Sequence, residues 1–203
     1  MSIVGFGRDW MKDHLNSGGL IVYPTSTLPG LGCLPTKSGL NNLFSKKYRL
    51  DSMPVSLGVA SLEQVKTLVH IPGFLTNLLD NFPKGGITTI LPSINLLDER
   101  LGGGQIAIRV FSHPAAIELA NEFGPITATS ANKSGSEPEE NTEDAAKELG
   151  LAYVIPGICP NGLGSTYINL VKDDAENRGW RLTVMREGVV PREDVVEWWT
   201  NRT

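Results

Sequence analysis

Hydroxyl, amide and cationic side chains gather in four short stretches of this chain and at one isolated arginine. Residues 124–135, GPITATSANKSG, begin as a strand, with β-branched Ile126 and Thr127 after a Pro125 suited to a strand start. They then crowd Thr129, Ser130, Asn132, Lys133 and Ser134 just past the strand's carboxyl end. YPTSTLPGLGC, residues 23–33, repeats that design with Thr25, Ser26 and Thr27, while Gly30 and Gly32 allow close backbone approach. The same residues also suit a Pro/Gly turn whose hydroxyls bond their own backbone. In SKKYR, Lys46, Lys47 and Arg49 close a helix, where the helix dipole favours cations. Equally, Lys47 and Arg49 can flank a polyphosphate, the arginine as a fork and the lysine as a point charge. In QIAIRVF, alternation puts Arg109 on one face with Ala107 and Phe111, for a ligand or an internal ion pair. GLGSTYIN, residues 162–169, brings Ser165 and Thr166 after two glycines, with Arg186 following in VMREG. Such a Gly-rich approach can wrap a phosphate in backbone N–H groups.

The chemistry these groups can do is narrowed by what the sequence lacks. No Walker lysine precedes the Ser-Thr pair, and no GxGxxG opens a helix. There is no GxSxG and no evident Ser-His-Asp or Cys-His set. Cys33 and Cys159 lie far apart, and His14, His70 and His113 show no metal-ligand spacing, so no metal site is expected. What remains suits a reaction in which the substrates bring the nucleophile and the protein supplies position and charge. Nucleotidyl transfer is such a reaction. A net charge of −4 argues against a surface built mainly for nucleic acid. With 40% hydrophobic and 20% charged residues, no membrane-length apolar run and no basic-then-apolar start, a soluble, cytoplasmic protein is expected.

Elements must hold these clusters in place. The pattern predicts helices over 8–17, 38–49, 62–69 (a Ser61/Gln64 capping box at its start), 73–82, 113–123, 142–149 (capped by Thr142) and 191–199. It predicts strands in GLIVY, VSLGVAS, ITTILPS, QIAIRVF, PITATS, LAYVI, STYINLV and WRLTVMR. Their irregular order, without a repeat or a dividing linker, indicates an α/β fold with a mixed twisted sheet in one domain, residues 1–203.

Taken in order, PTSTLPGL, KYR, IAIRV, TSAN, GST and MREG, spread from residue 24 to 188, resemble the YrdC family, the threonylcarbamoyl-AMP synthases. The length is similar to the single-domain form of that family. The resemblance implies a twisted α/β sheet with flanking helices and a deep polar cleft. It also implies a reaction in which L-threonine, bicarbonate and ATP give threonylcarbamoyl-AMP and pyrophosphate, with Mg2+ accompanying the phosphates. A separate threonylcarbamoyl transferase would then modify tRNA, and the resemblance allows weak binding of tRNA or double-stranded RNA. Carried over by position, Lys47 and Arg49 would bind the ATP phosphates and carry the catalysis. Ser130, Asn132 and Arg186 would hold the nucleotide. Thr27, Arg109 and Ser165 would hold the threonine, with Arg109 on its carboxylate or on the carbamoyl product.

The chain departs from the family pattern at Ser26, where an acid is usual, and at Pro29, where tyrosine is usual. Met53, Phe111 and Asn169 stand where a polar residue, a proline and an aspartate are common. Two alternatives therefore stay open: a YciO-like paralogue with different or lost synthase activity, and a double-stranded RNA-binding module.

Overall fold

The computed structural model describes residues 8–201 apart from 134, 161 and 177, so the expectation for Ser134 lies outside the described residues. The helices are α1 (Arg8–Asn16), α2 (Lys37–Lys47), α3 (Leu75–Asp80), α4 (Pro114–Phe123), α5 (Thr142–Glu148) and α6 (Arg192–Asn201). The strands are β1 (Ile21–Tyr23), β2 (Gly30–Gly32), β3 (Ser56–Val59), β4 (Ile87–Pro92), β5 (Gln105–Val110), β6 (Ile126–Ser130), β7 (Thr166–Lys172) and β8 (Trp180–Arg186). Among the described residues these strands form one mixed sheet, in the order β1-β2-β6-β3-β5-β4-β7-β8. β3 runs parallel to β5 and β4 to β7, and the remaining neighbours are antiparallel.

Alternation gives the sheet two unlike faces. One carries Leu57, Leu91, Ile106, Ile108 and Leu170 into the largest apolar cluster, where Leu40, Leu43 and Phe44 of α2 meet them. On the other face the register sets Gly58 beside Arg109, Ser56 beside Ala128 and Thr88 beside Tyr167. That second face is made mostly of small or polar side chains, so the sheet is left hollow there. One end of it is filled by Tyr23, Phe111 and Ile126, packed with Met11 and Leu15 of α1 and Leu119 of α4.

Several expected elements are corrected. The helix over 62–69 is a single 3-10 turn, Leu62–Val65. Its capping box fails: Ser61 makes no side-chain cap, and the Gln64 side chain instead bonds the Ala60 N–H and the Ala120 carbonyl. Asn141, not Thr142, caps α5, accepting from the N–H groups of Glu143 and Asp144. Thr142 is wholly buried and donates to the Ile155 carbonyl. LAYVI forms one parallel bridge, Val154 to Val22, with backbone bonds but no strand. GLG of the second polar stretch, read as part of a turn, is strand β2.

Candidate active site

Tyr48 sets the direction of the basic stretch. It follows the last residue of α2 with φ 51, and its N–H bonds the carbonyls of Phe44 and Ser45, closing the helix in a left-handed turn. A non-glycine residue there costs roughly 1–2 kcal/mol, and the turn sends its two neighbours different ways. Lys47 turns inward, only 2% exposed, and its Nζ donates to the carbonyls of Ser130 (2.5 Å) and Asn132 (2.6 Å). Burial, and next the charge of Arg49, push the Lys47 ammonium down to about 8. Arg49 stays half-buried, donating from Nε to the Met53 carbonyl (2.5 Å) and from Nη2 to the Pro54 carbonyl (2.9 Å).

The hollow face of the sheet holds a cavity of about 330 Å³. Thr27, Arg49, Arg109, Ser130, Ser165 and Arg186 line it, so six of the side chains expected from the sequence meet there. Lys47 and Asn132 are not in that lining. Asn132 instead ties its own loop: Oδ1 accepts from Ser130 Oγ at 2.5 Å, and Nδ2 donates to the carbonyls of Lys133 and Ser136.

Arg109 is the most consequential of the six. It is 8% exposed; Nη2 donates to Thr27 Oγ1 (2.7 Å) and Ser26 Oγ (3.4 Å), and Nε to the Gly85 carbonyl (3.0 Å). Among the described residues it makes no ion pair, so the internal ion pair left open by the sequence does not form. Burial lowers its proton affinity, and the charge of Arg186 acts in the same direction. Burial likewise lowers that of Arg49, with Arg186 again contributing. Cations that desolvate and repel one another around a shared cavity are relieved by an anionic ligand. The lining holds one carboxylate, Glu187.

The GST stretch divides its labour. Ser165 lines the cavity, and its Oγ lies 2.6 Å from Thr88 Oγ1. Thr166 turns away, donating to the Val190 carbonyl and accepting from the N–H groups of Gly188 and Val190. It therefore pins the segment after β8 and takes no part in wrapping a phosphate. Arg186 lies 4.4 Å over the Tyr167 ring and donates to the Ser165 carbonyl at 2.9 Å. Sequence reasoning missed Tyr167, Ser56 and Tyr23, which also line the cavity. Counting back by two from Asn169 along β7 would have found Tyr167.

The departures from the family pattern also take their places. Ser26 touches Arg109 where an acid would have neutralised it. Pro29 lines the cavity and accepts from the Ala131 N–H. Phe111 is buried edge-on to Tyr23, with ring centroids 5.7 Å apart, and a Cβ at Gly58 would strike its ring. Asn169 lies in an adjoining cavity of about 380 Å³ that shares Tyr167 as a wall. Met53 is exposed.

Comparison with known proteins finds relatives by sequence and by fold. Threonylcarbamoyl-AMP synthase of Aliivibrio fischeri is 34% identical, over 70% of this chain and 81% of its own. That of Cellvibrio japonicus is 31% identical, over 70% and 78%. Among solved structures, P. abyssi Sua5 complexed with L-threonine superposes with a TM-score of 0.79 at 27% identity, over 93% of this chain. The match spans 56% of the Sua5 chain. E. coli YciO gives 0.74 at 27% identity, over 90% of this chain and 89% of its own. The Sua5/YciO/YrdC family model, described as telomere recombination, matches residues 13–188, and the chain belongs to that family.

Proposed function

We propose that this protein is a threonylcarbamoyl-AMP synthase, a nucleotidyltransferase that joins L-threonine, bicarbonate and ATP and releases pyrophosphate. The observation that carries the reading is Arg109, a buried guanidinium without a carboxylate partner among the described residues, in a cavity shared with Arg49 and Arg186. The names of the curated relatives and the threonine bound to P. abyssi Sua5 support it.

The residues then divide between two ends. Arg109 takes the threonine carboxylate, with Thr27 and Ser165 offering hydroxyls beside it. Arg49 and Arg186 face the triphosphate, with the Ser130 hydroxyl at the nucleotide. Bicarbonate takes up a proton and loses water to give carbon dioxide, and the free amine of threonine adds to its carbon, giving up a proton and forming the carbamate. A carbamate oxygen attacks the α-phosphorus, the bond to the β-phosphate oxygen breaks, and its electron pair leaves on pyrophosphate. The arginines balance charge that moves from the α-phosphate towards the leaving group, so no protein nucleophile is required. Lys47 and Asn132 act at one remove, holding the backbone of residues 130–132 against the nucleotide. Mg2+ enters here with the phosphates of the ATP substrate. Among the described residues no helix is long and apolar enough to cross a membrane. A cytoplasmic setting, with a transferase consuming the acyl adenylate on tRNA, completes the proposal.

Titration calorimetry with L-threonine tests the amino-acid end. Arg109→Met should weaken threonine binding roughly tenfold to a hundredfold, the loss of a charge-assisted hydrogen-bonded contact. A folded Arg109→Met protein with undiminished threonine affinity would remove the assignment.

A further inference from the structure

One segment outside the predicted site touches both halves of its amino-acid end. Residues 85–88, Gly-Gly-Ile-Thr, form the turn into β4 and the strand's first two residues. The Gly85 carbonyl accepts from Arg109 Nε at 3.0 Å. The Gly86 carbonyl accepts from the Thr166 N–H at 2.8 Å, fixing the backbone next to Ser165. The Thr88 hydroxyl lies 2.6 Å from Ser165 Oγ, and Thr88 is wholly buried. Gly85 has φ +75, and a Cβ there would strike Ser26 Oγ and lie 2.8 Å from Ser112 Oγ. Only glycine suits that position.

We propose that residues 85–88 set the separation and orientation of Arg109 and Ser165, and that Thr88 is a positioning residue for the amino-acid substrate. The inference rests on the reading that Arg109 and Ser165 hold threonine. Arg109 has several rotatable bonds, and its Nε bond to Gly85 leaves the Nη groups aimed at Thr27 and the cavity. Ser165 has one hydroxyl to orient. Where Ser165 donates to Thr88 its Oγ can only accept from a ligand, and where Thr88 donates Ser165 keeps its proton to give; either way the Thr88 bond fixes the direction of the remaining capacity. Preorganisation of this kind acts on the amino acid and leaves the triphosphate end alone.

The test is pyrophosphate release by wild type, Thr88→Val and Thr88→Ser, with threonine and ATP varied in turn. Thr88→Val keeps the shape and removes the hydroxyl. We expect it to raise the threonine KM by about tenfold or more while leaving the ATP KM unchanged. Thr88→Ser should restore the wild-type pattern. In the wild-type protein the Thr88 methyl resonance should shift on addition of L-threonine and stay in place with ATP alone, which decides the matter even if the valine variant fails to fold. A methyl resonance indifferent to threonine overturns the proposal. So does a valine variant with wild-type kinetics, or with equal losses towards both substrates. Wild-type turnover that does not depend on threonine removes the underlying reading as well, and so is told apart from a failure of the positioning role alone.

Discussion

Lys47 and Arg49 stand two positions apart, yet one is consumed by the fold and the other is offered to the cavity. The left-handed turn at Tyr48 makes the difference. A K-x-R pattern shows two cations at a helix end. It does not show that the Lys47 ammonium will meet carbonyls more than eighty residues later, because that pairing exists only once β6 is beside α2. Arg109 was readable in part: alternation gave its face, but the lack of an acidic partner is a fact of three-dimensional packing. Lys47 also carries a pH prediction. Its ordinary value is 10.5 and its folded value about 8, so between these the unfolded chain binds more protons. The contribution of this group to stability therefore rises as pH climbs from about 8 towards 10.5. The same deprotonation weakens the two bonds to the carbonyls of Ser130 and Asn132, because they lose their charge assistance. Synthase kcat/KM for ATP should therefore fall as pH rises through about 8, with no matching fall in melting temperature between pH 7.5 and 9. Activity that holds constant to pH 9.5 would contradict this role for Lys47.

At the scale of the element, the strands with clean alternation or β-branched runs were evident from sequence, as were helices with apolar spacing. What escaped was structure decided by partners. β2 is three residues of Gly-Leu-Gly with no strand signature of their own, held between β1 and β6. LAYVI has the composition of a strand but meets only Val22 along a short stretch. The sheet contains a further pairing of this sort, since Phe111 fills space that Gly58 leaves open on the neighbouring parallel strand. Alanine at 58 must displace that ring, and overpacking of this kind typically costs about 1–3 kcal/mol. Denaturant titration should show Gly58→Ala destabilised by that amount, with part of the loss recovered in Gly58→Ala/Phe111→Leu. Strictly additive effects of the two substitutions would mean that the contact does not couple β3 to β5.

For the molecule as a whole, charge is distributed against its own average. The chain carries a net −4, yet Arg49, Arg109 and Arg186 converge on one hollow face with Glu187 as the only carboxylate in the lining. The mixed sheet makes this possible by bringing together residues from α2's end, β5 and β8, which are remote in sequence. Such a site recognises a ligand with several negative charges, and a substrate pair of amino-acid carboxylate and nucleoside triphosphate supplies them. The most direct test is to incubate the protein with ATP, bicarbonate and labelled threonine and to follow both pyrophosphate and the labelled adenylate. The account predicts threonylcarbamoyl-AMP and pyrophosphate in equal amounts, and neither when threonine or bicarbonate is omitted. Release of ADP and phosphate, or turnover indifferent to threonine, would contradict it.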